Sequence, residues 1–185
     1  MLGQYTNILI ESGEKNLKVE ANSYFEKANQ LSPKRQEVFT EWIKTDLLTG
    51  EYQKAKEKAE KCIELNEKLA DCYWLLGLAQ AYLGNLDESD YYILAAGERG
   101  YPTQSKESLL QLTKVYIEIE NYPGLVKIYS DLISLEPNNP QYHASLAVVY
   151  QKLGEINKAK KEALKVLELQ PENKEAVEEF LEGLE

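Results

Sequence analysis

The stretch "YHASLAVVYQKLGEINKAKKEALKVLELQP", residues 142–171, contains two amphipathic patterns that a single glycine, Gly154, separates. Apolar residues recur at intervals of three and four on both sides of that glycine, which is the spacing of one helix face. Ala147 and Ala159 are small residues at positions where two paired helices approach closely, and Pro171 ends the pattern. The stretch therefore predicts a helical hairpin.

The same pattern recurs along the chain with a period of 34 residues. Aligning the turn and proline landmarks superposes five segments and leaves Gln104 and Ser105 as the only insertion. The predicted repeats are residues 2–35, 36–69, 70–103, 106–139 and 140–173. One helical pair cannot bury both of its faces, so neighbouring repeats must stack. The remaining residues, 174–185, repeat only the first helix and are expected to cap the stack with one apolar face.

Corresponding positions in the five repeats carry similar side chains. A large residue early in each first helix is Tyr5, Phe39, Tyr73, Leu109 and His143. Three residues later the chain has Ile8, Trp42, Leu76, Leu112 and Leu146. A glycine turn follows at Gly50, Gly84 and Gly154, and "ENYPGL" with Pro123 replaces it in the fourth repeat. Period and positions together resemble the tetratricopeptide repeat (TPR) family. The resemblance implies an all-α fold, an α-solenoid whose repeats wind into a right-handed superhelix, as a single TPR domain over residues 1–185.

The third repeat begins with a helix that shows no polar face. In "CYWLLGLAQAYLG", Cys72–Gly84, only Gln80 is plainly polar between Tyr73 and Leu83. The segment is too short to cross a bilayer, which takes about 20 apolar residues. If the chain is a TPR stack, the resemblance implies that one apolar face of this helix packs in the core while the other lines a concave groove.

The resemblance also implies which residues line that inner surface. The predicted partner-binding residues are Asn7, Lys44, Trp74, Leu75, Leu78, Tyr82, Leu110, Gln111 and Lys114. Ala144, Ser145 and Val148 continue the same surface in the fifth repeat. An exposed indole with two leucines exceeds the scattered apolar residues of an ordinary surface. We therefore expect a groove for a protein or peptide segment with an apolar anchor and an acidic flank facing Lys44 and Lys114. The alternative is that Trp74 packs inside the chain, against Leu110 or Lys44.

The composition excludes several classes of function. The chain has 21 basic and 31 acidic residues and a formal net charge of -10, which repels phosphate backbones and anionic lipid. We expect neither nucleic-acid binding nor direct membrane contact. The one histidine, His143, stands at a core position, so the sequence predicts no metal site and no cofactor. Since no nucleophile has a base at recognisable spacing, the sequence predicts that the chain is not an enzyme.

The two cysteines, Cys62 and Cys72, are too few for a disulfide scaffold. Both stand in apolar helical patterns, where a free cysteine acts as a small hydrophobic residue. We expect free core thiols here, and the alternative is a bridge or a redox role.

The predicted function is that of a non-catalytic protein-interaction module. The alternative is an architectural part of a larger protein that self-associates. In that alternative, "LSPKRQE" and "GERGYP" resemble the TPR tails that follow bacterial membrane polymerases of the O-antigen ligase type. The sequence shows no signal peptide or transmembrane run, which favours the cytoplasm if the chain is complete and otherwise leaves the compartment open.

Overall fold

The structure is a computed structural model in which residues 23–27, 31 and 36–184 are described. Residues 36–184 contain nine α-helices and one 3-10 turn, residues 23–27 and 31 are also helical, and none of the described residues is in a strand. The helices are α1 Gln36–Leu48, α2 Tyr52–Leu65, α3 Ala70–Tyr82, α4 Leu86–Glu98, α5 Lys106–Glu118, α6 Tyr122–Leu135, α7 Pro140–Lys152, α8 Ile156–Leu169 and α9 Lys174–Glu182, with the 3-10 turn Pro171–Asn173 before α9. The all-α prediction is therefore confirmed for the part of the chain that is described.

The chain divides into two compact units, one ending at Thr103 and the other beginning at Gln104. The N-terminal unit contains α1 to α4 and the C-terminal unit contains α5 to α9. The boundary coincides with the insertion of Gln104 and Ser105, the one interruption of the 34-residue period. The assignment of all 185 residues to one domain of five repeats stays a prediction.

The described helices alternate in the register that the repeat pattern predicts. The first helix of each described pair begins at Gln36, Ala70, Lys106 or Pro140, and α9 begins at Lys174. The first predicted repeat, residues 2–35, lies mostly outside the described residues. Its residue Phe25 is buried and stacks on Trp42 of α1, with ring centroids 6.2 Å apart.

The turn inside each repeat requires a left-handed residue at one fixed position. Gly50, Gly84 and Gly154 occupy it with φ of 76°, 80° and 72°. The fourth repeat has Glu120 at this position, with φ of 54°. A side chain with a Cβ is strained in that conformation, so glycine is favoured there. Pro123 then lies in the first turn of α6, where its missing N–H costs little.

The N-terminal unit is packed around α3, which contacts α1, α2 and α4. At Gly77 the helices α3 and α4 approach each other closely. A Cβ built on Gly77 would lie 2.8 Å from Ile93 Cγ1 and 3.3 Å from the Ser89 carbonyl oxygen. The small residue that the repeat pattern requires at this point is therefore explained by the space between the two helices.

Cys62 and Cys72 form a disulfide, so the expectation of free thiols is wrong. Cys62 lies in the last turn of α2 and Cys72 in the first turn of α3. The short loop between these helices brings the two turns together, with the Cα atoms 6.0 Å apart, and both side chains are fully buried. The disulfide joins residues ten positions apart and thus closes a small loop where the second repeat meets the third.

The C-terminal unit stacks α5, α6, α7 and α8 in chain order and ends with α9 against α8. One core cluster contains Ala147, Ala163, Val166 and Val177. His143 of α7 is buried, in agreement with its predicted core position. Its Nδ1 lies 2.7 Å from Glu162 Oε2 of α8 and its Nε2 lies 3.0 Å from the Pro137 carbonyl oxygen. The ring therefore ties α7 to α8 and to the preceding loop.

Candidate functional site

The predicted floor of the binding groove is not exposed. Trp74 is 1% exposed, and Leu75 and Leu78 are also buried, so the expectation that these three side chains face a ligand is wrong. The cause is the packing of α3 against three other helices, together with the ring of Tyr101, which stacks on the Trp74 indole. The alternative that Trp74 packs inside the chain is confirmed, but the partner that stacks on it is Tyr101 and not one of the two expected residues, Leu110 and Lys44.

The other predicted residues of the N-terminal unit have partners within that unit. Tyr82 is half-buried and stacks on Tyr52, with centroids 4.1 Å apart and nearly parallel rings. Lys44 is exposed, and its Nζ lies 2.8 Å from Glu41 Oε1. Asn7 lies outside the described residues.

The predicted residues of the C-terminal unit lie together on the solvent face of α5. Leu110 is 37% exposed, and Gln111 and Lys114 are exposed beside it. Ile117, one further turn along the same face, is also exposed. These side chains are accessible, as the sequence predicted, and their contact with a partner stays a prediction.

The described residues contain a groove of about 310 Å³ in the C-terminal unit. It lies between α7 and α9, and α8 forms its floor. Its lining residues are Pro140, Gln141, Ala144, Ala147, Val148, Ala163, Val166, Gln170, Asn173, Ala176, Val177 and Phe180. The volume is at the lower end of the range found for ligand pockets in proteins, about 300 to 1,000 Å³.

The groove is open because its walls are made of small side chains. Ala144 of α7 and Ala176 of α9 face it from opposite sides, and Phe180 lines it one turn beyond Ala176. Val148 is 45% exposed in this groove. Val177, buried against α8, holds α9 in place and so fixes the width of the opening.

Amide side chains lie at one end of the groove. Gln141, Gln170 and Asn173 line it there, and Asn173 Nδ2 donates a hydrogen bond to Gln170 Oε1 at 2.7 Å. Amide groups both donate and accept hydrogen bonds, so they suit the main chain of a bound segment. The site thus combines an apolar centre with a neutral polar end.

One rim of the groove is acidic. Glu175, Glu179 and Glu182 are exposed on α9 at spacings of four and three residues, which puts them on one face of the helix. That face is next to the one that carries Ala176 and Phe180. The rim of α7 has neutral Gln141 and Ser145, with Lys152 at its far end.

In residues 23–27, 31 and 36–184, no group of three or more His, Cys, Asp or Glu side chains is arranged to hold a metal ion. Across the same residues, every helix is too short or too polar to cross a membrane. What the groove can do is bind an apolar group by burial.

Comparison with known proteins identifies the repeats. The family described as "Psidin, N-terminal TPR repeats region" matches residues 42–177. The phagocyte signaling-impaired protein of Drosophila pseudoobscura pseudoobscura is 29% identical over 132 residues, which are 71% of this chain and 13% of that protein. The human N-alpha-acetyltransferase 25, NatB auxiliary subunit, is 23% identical over 124 residues, 67% of this chain and 13% of that protein. The chain thus spans about an eighth of the length of the curated relatives it matches.

Solved structures show the same fold. The crystal structure of MamA covers 87% of this chain and 93% of its own, with a TM-score of 0.63 and 21% identity. YrrB, described as a TPR protein with an unusual peptide-binding site, covers 91% of this chain and 84% of its own, with a TM-score of 0.59 and 17% identity. Since the family match extends over most of the chain and the helices alternate in the same 34-residue register, the chain belongs to the Psidin N-terminal TPR repeats family.

Proposed function

We propose that the chain is a non-catalytic protein-binding module whose groove between α7 and α9 holds an apolar side chain of a partner segment. The observation that carries the proposal is the open groove of about 310 Å³ with the half-exposed Val148 in its lining. TPR domains act in protein–protein interaction, and one of the relatives is described as the auxiliary subunit of NatB. Extending that class of partner to this chain is an analogy.

The groove contributes part of the free energy that binds a segment. Burial of one Leu- or Phe-sized side chain contributes about 1.5 to 3 kcal/mol, and covering Val148 adds to it. The alanine walls admit such a side chain without displacing a larger one. The amides of Gln141 and Gln170 can pair with the main chain of the segment, which fixes its position along the groove.

The exposed face of α5 is a second part of the proposed surface in the same unit. Leu110 and Ile117 give it apolar area, and Lys114 lies between them. We retain Leu110, Gln111 and Lys114 as proposed contacts. Trp74 and its two leucine neighbours are not proposed as direct contacts because they are buried.

The test is selection of peptides of about 12 residues from a random displayed library on the purified chain, since grooves of this kind bind short segments. Selected peptides are then measured on Ala144→Leu and Ala176→Leu, which fill the groove from opposite walls. Lys161→Leu is the matched control, because Lys161 is exposed on the side of α8 away from Ala163. Far-UV circular dichroism checks that each variant is folded.

We expect peptides whose affinity falls about tenfold or more on both alanine variants, a loss of at least about 1.4 kcal/mol, and stays unchanged on the control. Selection that yields no peptide, or only peptides indifferent to both alanine variants, would reject the groove as the binding site.

A further inference from the structure

We infer that the segment bound in the groove between α7 and α9 is basic: it carries Lys or Arg side chains beside its apolar anchor, facing α9. The inference rests on the proposed function and adds the chemical class of the partner. It replaces the acidic flank that was expected to face Lys44 and Lys114, because neither lysine lines this groove and the groove has an acidic rim.

The order of faces around α9 places the glutamates at the opening. Val177 faces the core, Ala176 and Phe180 face the groove, and Glu179 comes next around the helix. At 100° per residue, Glu179 is roughly 60° from Ala176, and Glu175 and Glu182 lie just beyond it. A segment with its apolar side chain against Ala176 and Phe180 therefore has its flanking residues within reach of three carboxylates.

These carboxylates have no ion-pair partner among the residues that the structure describes. Glu178, on the next face, lies 3.5 Å from Lys174, whereas Glu175, Glu179 and Glu182 are exposed without such a contact. The opposite rim is neutral over Gln141 and Ser145. Lys152 stands at the far end of that rim, so negative charge is available along the α9 side only, which favours a segment whose basic residues follow that edge.

The same carboxylates disfavour occupants of the groove that are acidic or neutral. A second copy of this chain would bring a net charge of -10 to an acidic rim, and a phosphate backbone or anionic lipid would meet the same repulsion. An acidic or neutral peptide would leave the carboxylates unpaired. A Lys- or Arg-bearing peptide is the occupant whose charge complements both the rim and the whole chain.

The experiment uses the groove-dependent peptides of the library selection. We expect them to be enriched in Lys and Arg next to an apolar residue. The triple variant Glu175→Gln/Glu179→Gln/Glu182→Gln should weaken binding of such a peptide about tenfold at low salt, as expected for three exposed ion pairs. The control is Glu57→Gln/Glu60→Gln/Glu64→Gln on α2, which changes the net charge equally through three exposed residues of the other unit. Added salt should remove the difference between wild type and the first variant, because it screens exposed charges.

The outcomes separate the two proposals. Groove-dependent peptides that are neutral or acidic, or that bind the α9 variant as tightly as wild type, overturn the basic partner and leave the groove in place. An equal loss on both triple variants also overturns it, since the effect is then one of net charge. The absence of any groove-dependent peptide rejects the proposed function and the inference together.

Discussion

The indole of Trp74 stacks on the ring of Tyr101, with centroids 4.7 Å apart and planes inclined by 16°. Tyr101 stands at the repeat position that proline fills as Pro33, Pro137 and Pro171. Stacked aromatic pairs contribute about 0.5 to 1.5 kcal/mol beyond the area they bury. The residue that departs from the repeat pattern is therefore one that covers the indole.

Removing that ring should expose Trp74. We expect Tyr101→Ala to lower the free energy of unfolding by about 1 to 3 kcal/mol, because the variant loses both the stack and its buried area. The emission maximum of Trp74 should shift to longer wavelength as water reaches the indole. Fluorescence in a Trp42→Phe background isolates this signal, since Trp42 is the other tryptophan of the chain.

Tyr101→Phe is the control for that experiment, because it keeps the ring and should leave the emission unchanged. If Tyr101→Ala also leaves emission and stability unchanged, the Tyr101 ring is not what covers the indole.

The helices were predictable from the sequence because their signal is local. The period, the glycine turns and Pro123 depend only on neighbours in the chain, and α1 and α3 begin at the first residues of their predicted repeats. The exposure of Trp74 was not predictable in this way. It depends on whether Tyr101, which replaces the proline of the repeat pattern, covers the ring, and the pattern does not predict what a replacement side chain contacts.

The groove was likewise predictable from the sequence only in part. Repeat register places Ala144 and Val148 on the inner surface and gives the last helix an apolar stripe that includes Phe180. The open volume, however, results from side chains too small to meet across α7 and α9. The sequence signal for such a site is a pair of alanines on facing helices beside a Val on the inner surface, and the largest apolar residues do not mark it.

Glu120 should be replaceable by glycine with a gain in stability. Its φ of 54° costs a residue with a Cβ about 1 to 2 kcal/mol, part of which the entropy of glycine offsets. We expect Glu120→Gly to raise the free energy of unfolding by about 0.5 to 1 kcal/mol in urea titrations. Gly154→Ala makes the opposite change at the equivalent position and should lower it by about 1 kcal/mol. A destabilised Glu120→Gly variant would show that the Glu120 side chain has a compensating role.

The Cys62–Cys72 disulfide should stabilise the joint between α2 and α3. A cross-link over a separation of ten residues restricts the unfolded chain, which in the loop-entropy model contributes about 3 kcal/mol. We expect reductant to lower the urea midpoint of the wild type. The Cys62→Ala/Cys72→Ala variant should unfold at one midpoint with or without reductant. Alkylation and mass spectrometry under denaturing conditions should find two blocked thiols before reduction; two reactive thiols at that stage would contradict the bridge.

Asp46 should make the stability of the N-terminal unit depend on pH. Its carboxyl group is 1% exposed and contacts Lys58 Nζ, and the Lys58 ammonium group also lies 4.5 Å from the centroid of the Trp42 ring. Burial raises the pKa of Asp46 above its ordinary value of 3.8, and the hydrogen bond and charge of Lys58 offset only part of that effect.

The direction of the pH dependence follows from that pKa. A carboxyl group whose pKa is raised on folding contributes to stability at a pH below its pKa in the unfolded chain. This contribution is lost as the pH rises through its pKa in the folded protein. Asp46→Asn stays neutral throughout, so we expect the variant to gain stability relative to wild type as pH rises from 3.8 through the raised pKa of Asp46. Urea unfolding of both proteins across that range measures the difference. A difference that shrinks with rising pH would mean that the ion pair with Lys58 outweighs the cost of burying the Asp46 carboxylate.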